Sequence, residues 1–176
     1  MTQRFVRISS FLFFTFILFH NTHAQKSSLD SLVKNPPRVG AYFGVVTSLY
    51  EHSFDENRGS LLPLNSAGFP VGVNFWLNKK IAFSIEVVPF LQINDPIRAE
   101  GLLIHPGFIY NISSKSSLSG RLAFESNGQI GITPIFAHNI YQLEQSALFL
   151  AIPFPIRFGN NMPPNFAAGL VIGWGF

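Results

Sequence analysis

Phe166–Phe176, the last eleven residues of the 176-residue sequence, read FAAGLVIGWGF. With the exception of Ala168, the even-numbered residues are bulky and apolar, whereas the residues between them are Gly, Ala or Val. Successive side chains of a strand point to opposite faces. The stretch therefore predicts a β-strand with one bulky apolar face and one face of small residues.

The same period of two recurs along the chain before this stretch. It spans residues 39–49, 69–77, 81–91, 102–112, 118–124, 148–158 and, more weakly, 130–137. Polar or Pro- and Asn-rich connections separate these segments at residues 51–66, 78–80, 94–99, 113–117, 126–129, 138–145 and 159–165. The pattern predicts eight antiparallel strands in an all-β fold, although the weak patterning of residues 126–145 leaves ten strands open.

The composition excludes several classes of protein. Hydrophobic residues make up 47% of the chain and charged residues only 12%, which excludes an intrinsically disordered protein. The absence of Cys excludes a disulfide scaffold, a cysteine-ligated metal and a cysteine nucleophile. The chain contains 20 Phe, and its positive mean hydropathy is unusual for a soluble domain of this size.

The distribution of charge decides which solvent the apolar faces meet. The strands carry almost no Lys or Glu on either face, and most charges lie in the connections. The exterior of a soluble barrel would be rich in charged residues, whereas a membrane barrel turns its apolar side chains outward to lipid. A closed barrel also pairs every backbone donor and acceptor, as lipid requires. The sequence predicts an eight-stranded, up-and-down transmembrane β-barrel, with a soluble secreted barrel as the alternative.

The first 24 residues have the features of a cleavable signal peptide. Arg4 and Arg7 precede the apolar run FLFFTFILF at 11–19, and Thr22-His23-Ala24 offers a cleavage site. Nine apolar residues are too few for a membrane-spanning helix, which needs about 20. We expect a signal peptide at 1–24, a short periplasmic segment at 25–37 and the barrel at 38–176. Without Arg4 and Arg7, ten Lys and Arg face nine Asp and Glu, so no basic excess indicates nucleic acid.

The chain resembles the small outer-membrane β-barrel proteins of Gram-negative bacteria, particularly those common in Bacteroidetes. The resemblance depends on Ala24-Gln25, on LFLAIPFPIRF at 148–158 and on AGLVIGWGF at 168–176. It implies an outer-membrane location, outer-membrane lipid as surroundings, and recognition of Trp174 and Phe176 by the barrel assembly machinery. Val171 stands where the family pattern often has Gly, so the match to this assembly signal is partial.

Four charged residues on the predicted inner face form the main candidate site: Glu86, Arg121, Glu125 and Arg157. An eight-stranded barrel is just wide enough for side chains to fill its interior. We therefore expect these residues to form an ion-paired network that fills the lumen, with a proton or ion path as the alternative. The sequence indicates no cofactor and no metal site, because the three His beyond residue 24 are far apart.

The sequence favours a non-enzymatic, monomeric barrel with a structural, adhesive or transport role. Two alternatives remain open. A lipid-modifying enzyme, such as an acyltransferase or a deacylase, could use His52, Ser53, Asp55 and Glu56 at the extracellular rim. A narrow pore would result if the lumen were not filled.

Overall fold

The computed structural model describes residues 38–54, 58–60, 66–93 and 96–176. The predicted signal peptide and periplasmic segment lie outside these residues, as do Asp55 and Glu56. In the described part of the chain there are eleven strands: β1 (Arg38–Ser53), β2 (Arg58–Ser60), β3 (Ser66–Gly68), β4 (Val71–Trp76), β5 (Ile81–Gln92), β6 (Arg98–Asn111), β7 (Ser116–Glu125), β8 (Ile130–Gln142), β9 (Ala147–Pro153), β10 (Ile156–Gly159) and β11 (Met162–Gly175).

These strands form one closed antiparallel barrel. β3 and β4 both lie between β1 and β5, and β9 and β10 both lie between β8 and β11, so each of these pairs forms one side of the barrel. β11 pairs with β1 and closes the ring. Around the ring this gives eight positions for the described strands, β2 being a short addition beside β1. The prediction of an eight-stranded up-and-down barrel is confirmed.

Proline explains both interruptions. Pro70 separates β3 from β4, and Pro155 separates β9 from β10, because proline has no N–H to give to a ladder. Their carbonyl oxygens still accept hydrogen bonds from neighbouring strands, from Gly44 N at 2.9 Å and from Ala167 N at 2.9 Å. The barrel wall therefore stays continuous across both prolines.

Three tight turns lie at one end of the barrel, here called the turn end. They join β4 to β5, β6 to β7 and β8 to β9. The Asn78 side chain accepts hydrogen bonds from the backbone of Lys80 and Ile81, and the Ser113 hydroxyl does the same for Lys115 and Ser116. Asn and Ser close turns in this way because their short side chains reach the backbone two or three residues on.

The opposite end is here called the loop end, and at each end of the barrel one connection is shorter than predicted. The connection predicted at 159–165 is a two-residue turn, Asn160-Asn161, with φ of 57° and 55°, after which β11 begins at Met162. Two positive φ angles fit a tight hairpin turn, and Asn tolerates them better than most residues. At the turn end, the connection predicted at 138–145 is also shorter, because β8 continues to Gln142.

The two faces of the barrel differ as the period of two predicts. Side chains on the outside are large, apolar and exposed; Phe43 and Leu122, for example, are both 54% exposed. The buried apolar cluster lies inside and is small, consisting of Val88, Leu103 and Ala123 with Val46 and Phe90 against it. The molecule is thus apolar outside and mixed in polarity inside, the reverse of a soluble barrel. In the described residues, no helix is long and apolar enough to cross a membrane.

Candidate functional site in the barrel lumen

A cluster of four buried polar side chains crosses the lumen from β1 to β7. The Tyr42 hydroxyl donates to Glu86 Oε2 at 2.5 Å, and His105 Nδ1 lies 2.9 Å from Glu86 Oε1. Arg121 Nη2 donates to the Tyr42 hydroxyl at 2.9 Å, and Arg121 Nη1 donates to the His105 carbonyl at 3.2 Å. We call Tyr42, Glu86, His105 and Arg121 the lumen cluster. Because an ionised Glu86 can only accept, the His105 contact places the proton on Nδ1.

Strand register brings these residues together from distant parts of the sequence. Glu86 on β5 lies directly opposite His105 on β6 and, on its other side, opposite Gly72 on β4. Tyr42 on β1 is also opposite Gly72, so its ring reaches Glu86 by lying across the glycine. A Cβ at Gly72 would collide with the Tyr42 ring. The glycine is therefore required for Tyr42 to reach Glu86.

Glycines face the other large lumen side chains in the same manner. Gly107 is opposite Arg121, Gly131 is opposite Arg157, and Gly173 is opposite Phe149. In each case an added Cβ would meet the facing residue or its backbone at close range. Glycine on an inner face thus permits the close approach of a bulky neighbour, which is one of the uses of glycine in strands.

A second polar cluster lies nearer the loop end and centres on Arg157. Arg157 Nε donates to Glu125 Oε1 at 2.6 Å, and Arg157 Nη1 donates to Thr133 Oγ1 at 3.0 Å. Nη1 also donates to the carbonyl oxygens of Ile132 and Ile156, at 3.3 and 3.2 Å. Charged groups buried with this many partners stiffen the structure, whereas a lone buried charge would destabilise it.

The four charged residues predicted for the lumen therefore form two pairs. Arg121 Nη1 lies 3.9 Å from Glu86 Oε1, and Arg157 pairs with Glu125. The prediction of inner-face charges did not identify Tyr42 or the pairing of His105 with Glu86. Tyr42 stands on the inner face of the period-two pattern, but only the strand register shows that Gly72 lets its hydroxyl reach Glu86.

The lumen is only partly filled along its length. A cavity of about 340 Å³ borders the lumen cluster and extends to Trp76, Asn139 and Phe176 at the turn end. A second cavity of about 420 Å³ lies at the loop end, and both cavities touch Ser48, Phe90, Pro155 and Arg157. Two buried atoms of the lumen cluster, His105 Nε2 and Arg121 Nε, have no hydrogen-bond partner in the described residues. Buried groups of this kind commonly bind water in an adjoining cavity.

His52 and Ser53, the candidate enzymatic residues, lie on opposite faces of β1. They are consecutive residues of a regular strand segment, paired with Phe166 and Asn165 of β11. The His52 ring packs edge-on against Phe54, with ring centroids 5.5 Å apart. A nucleophile and its base must lie within hydrogen-bond reach, which consecutive strand positions prevent. Among the described residues, no group of three His, Asp or Glu could hold a metal ion.

Trp174 and Phe176 lie at the seam where the barrel closes. Trp174 is opposite Phe43 on β1, and the backbone N and O of Phe176 bond to Ala41 at 2.9 and 2.8 Å. Phe176 is 61% exposed, and the centroid of its ring lies 6.4 Å from that of the Phe43 ring. Both residues thus belong to the closing strand pair and contribute apolar surface near the turn end.

Fold and side chains together define a class: a closed antiparallel β-barrel with an apolar exterior and a polar, partly filled lumen. No protein-family model matches the chain, and no curated protein matches it. Solved structures similar to the chain include the de novo designed TMB2.3, with 11% sequence identity and a TM-score of 0.40 over 79% of this chain and 96% of that one. Ail, the attachment invasion locus protein of Yersinia pestis, solved with the heparin analogue sucrose octasulfate, has 12% identity and a TM-score of 0.40 over 79% of this chain and 97% of its own. The outer membrane protein OprG of Pseudomonas aeruginosa has 7% identity and a TM-score of 0.37 over 78% of this chain and 92% of its own. The assignment of this chain to the class of closed β-barrels with an apolar exterior therefore depends on its own strands and side chains.

Proposed function

We propose that the protein is a monomeric β-barrel of the Gram-negative outer membrane, delivered there by a signal peptide at residues 1–24. The observation that supports this most is the exposed apolar exterior of a closed barrel. Burial of that surface in lipid is favourable by about 25 cal/mol per Å², whereas in water it would promote association. A closed barrel is also one of the two structures that can span a bilayer without unpaired backbone groups.

Two further features support the direction of insertion and assembly. An even number of barrel positions puts both ends of the barrel segment at the turn end, which would face the periplasm, and short periplasmic turns are usual in such barrels. Trp174 and Phe176 would serve as the signal read by the barrel assembly machinery. The loop end would then face the exterior of the cell.

Cell fractionation tests the location. The protein should be recovered with the outer membrane, require detergent for extraction, and run at different positions on a gel before and after heating. Recovery from the periplasm without detergent would instead identify a soluble barrel.

We further propose a non-enzymatic role, in which the lumen cluster and the Arg157–Glu125 pair support the barrel from within. Their side chains bond mainly to one another and to the backbone, and His52 and Ser53 do not face each other. Mass spectrometry of lipid A tests the enzymatic alternative. Cells that express the protein and cells that express His52→Ala/Ser53→Ala should give the same lipid A profile; a modification lost only in the variant would demonstrate an enzyme.

A narrow pore is the second candidate function, and the two adjoining lumen cavities favour it. Both cavities border Phe90 and Arg157, and the lumen cluster lies across the barrel between β1 and β7. Planar-bilayer recording of the refolded protein distinguishes the roles. If no stable conductance is recorded, the polar clusters act as internal supports of the barrel. Stable single-channel steps would instead identify a pore.

A further inference from the structure

The cavity at the loop end has a strongly acidic lining. It measures about 420 Å³, within the range of about 300–1,000 Å³ that is usual for small-molecule sites. Its charged lining residues are Glu51, Glu100, Glu125 and Arg157, and its neutral polar residues are Ser48, Ser66, Gln92, Ser126, Asn127, Gln129 and Asn165. It is therefore a polar chamber with three carboxylates and one guanidinium.

The single arginine does not neutralise this chamber. Arg157 is paired with Glu125 at 2.6 Å, and Glu125 also accepts from Asn127 at 3.1 Å. Glu51 accepts a hydrogen bond from the neutral Asn165 side chain at 3.0 Å, and Glu100 is exposed. Among the residues whose side chains the structure describes, which do not include Arg58, neither Glu51 nor Glu100 forms an ion pair. With respect to those side chains, both carboxylates are available to a cation that enters the cavity.

A buried amide in the same lining indicates a second kind of contact. Gln129 is only 4% exposed, and its Nε2 has no hydrogen-bond partner in the described residues. Its Oε1 accepts from Asn127 Nδ2 at 3.1 Å, so the amide has a fixed orientation that leaves the donor free. A buried donor without a partner costs about 1–3 kcal/mol, which an oxygen atom from a bound molecule would offset.

We propose that this cavity binds a small organic cation that also carries oxygen acceptors, the chemistry of an amino sugar. An ammonium group would pair with Glu51 and Glu100, and hydroxyl oxygens would accept from the amides of the chamber. A bare metal ion fits less well, because the described residues contain no group of three acidic or His ligands suited to it. This inference goes beyond the proposed function and adds a ligand-binding role at the end that would face the cell exterior.

Calorimetry of the full-length barrel, refolded in detergent micelles, tests the proposal with three probes. Glucosamine carries both the positive charge and the oxygens, N-acetylglucosamine lacks the charge, and putrescine lacks the oxygens. We expect saturable binding of glucosamine, with binding of each of the other two weaker by about tenfold or more because each loses one kind of contact. Binding of glucosamine should also weaken as salt concentration rises.

Matched variants locate the site. Glu51→Gln/Glu100→Gln should reduce the affinity for glucosamine by about tenfold or more, whereas Glu144→Gln, at an exposed position of the turn end, should leave it unchanged. Heat-modifiable mobility shows that each variant is folded. A folded parent that binds none of the probes, or an equal loss in the Glu144→Gln control, would overturn the inference while leaving the outer-membrane assignment intact.

Discussion

The guanidinium of Arg121 shows how single side chains hold this barrel together from within. Arg121 is 5% exposed, and its guanidinium bonds to the Tyr42 hydroxyl on β1 and to the His105 carbonyl on β6. Its charge also lies close to that of Glu86. Taking a guanidinium and a carboxylate out of water is costly, so each depends on the presence of the other.

Removal of Arg121 should therefore destabilise the barrel strongly. In Arg121→Met, Glu86 stays buried without its cationic neighbour, and we expect the free energy of unfolding to fall by about 3–5 kcal/mol. Tyr42→Phe removes only a neutral hydroxyl and should cost about 1–3 kcal/mol. Urea titration of the vesicle-inserted protein measures both values, and an unfolding free energy of Arg121→Met within about 0.5 kcal/mol of the parent would contradict this account.

A single glycine position tests the close approach of Tyr42 to the wall. In Gly72→Ala, the added Cβ would meet the Tyr42 ring, so the ring must move away from Glu86. We expect a loss of about 1–3 kcal/mol in unfolding free energy. Gly120→Ala is the matched control, because nothing lies within 4 Å of a Cβ at that outward position. Equal effects of the two substitutions would show that the Tyr42 contact is unimportant.

Only part of the candidate site could be predicted from the sequence. Alternation places Glu86, Arg121, Glu125 and Arg157 on one face, because that requires only the strand period. Their partners depend on register, which the sequence leaves open wherever neighbouring strands could shift by two residues. The contact of Tyr42 with Glu86 is a consequence of register, since both residues face Gly72.

At the scale of the strands, prolines within strands and short turns explain why some strand boundaries differ from those that the sequence pattern predicted. Pro163 and Pro164 suggested a loop, yet both lie in β11. This strand pairs with β10 directly after the Asn160-Asn161 turn. A strand can accept proline where its N–H is not needed by the ladder. The turn chemistry of Asn78 and Ser113 follows from local hydrogen bonds, and both turns were predicted close to their observed positions.

Charge placed on the outer face should be costly according to its depth. Ile85 lies near the middle of β5 and is 42% exposed, whereas Ile112 lies in the β6–β7 turn. We expect Ile85→Lys to lose about 2–4 kcal/mol of unfolding free energy in vesicles and Ile112→Lys about 0–1 kcal/mol. The comparison requires lipid vesicles, because the energetic cost of an outward-facing charge depends on its depth in the bilayer. Similar losses at the two positions would argue against an outer face immersed in lipid.

The whole molecule is defined by closure and by the reversed distribution of polarity. Pairing of β1 with β11 closes the ring of the described strands, and the large apolar side chains point away from the lumen. Both properties could be predicted from the sequence, because period-two alternation and the shortage of charges in the strands are visible in the type and order of the residues. The two cavities could not, since they depend on how completely side chains from different strands fill the interior.

The orientation of neighbouring side chains in a bilayer tests the central claim most directly. The chain contains no Cys, so single-cysteine variants at Leu118 and Ser119 can each carry one small bimane label. Leu118 is 49% exposed on the outside, and Ser119 borders the lumen cavity. In vesicles whose lipids carry brominated acyl chains, the account predicts strong quenching of the label at position 118 and little at position 119. Equal quenching at both positions, or none at either, would contradict a barrel that spans the membrane with its apolar face toward lipid.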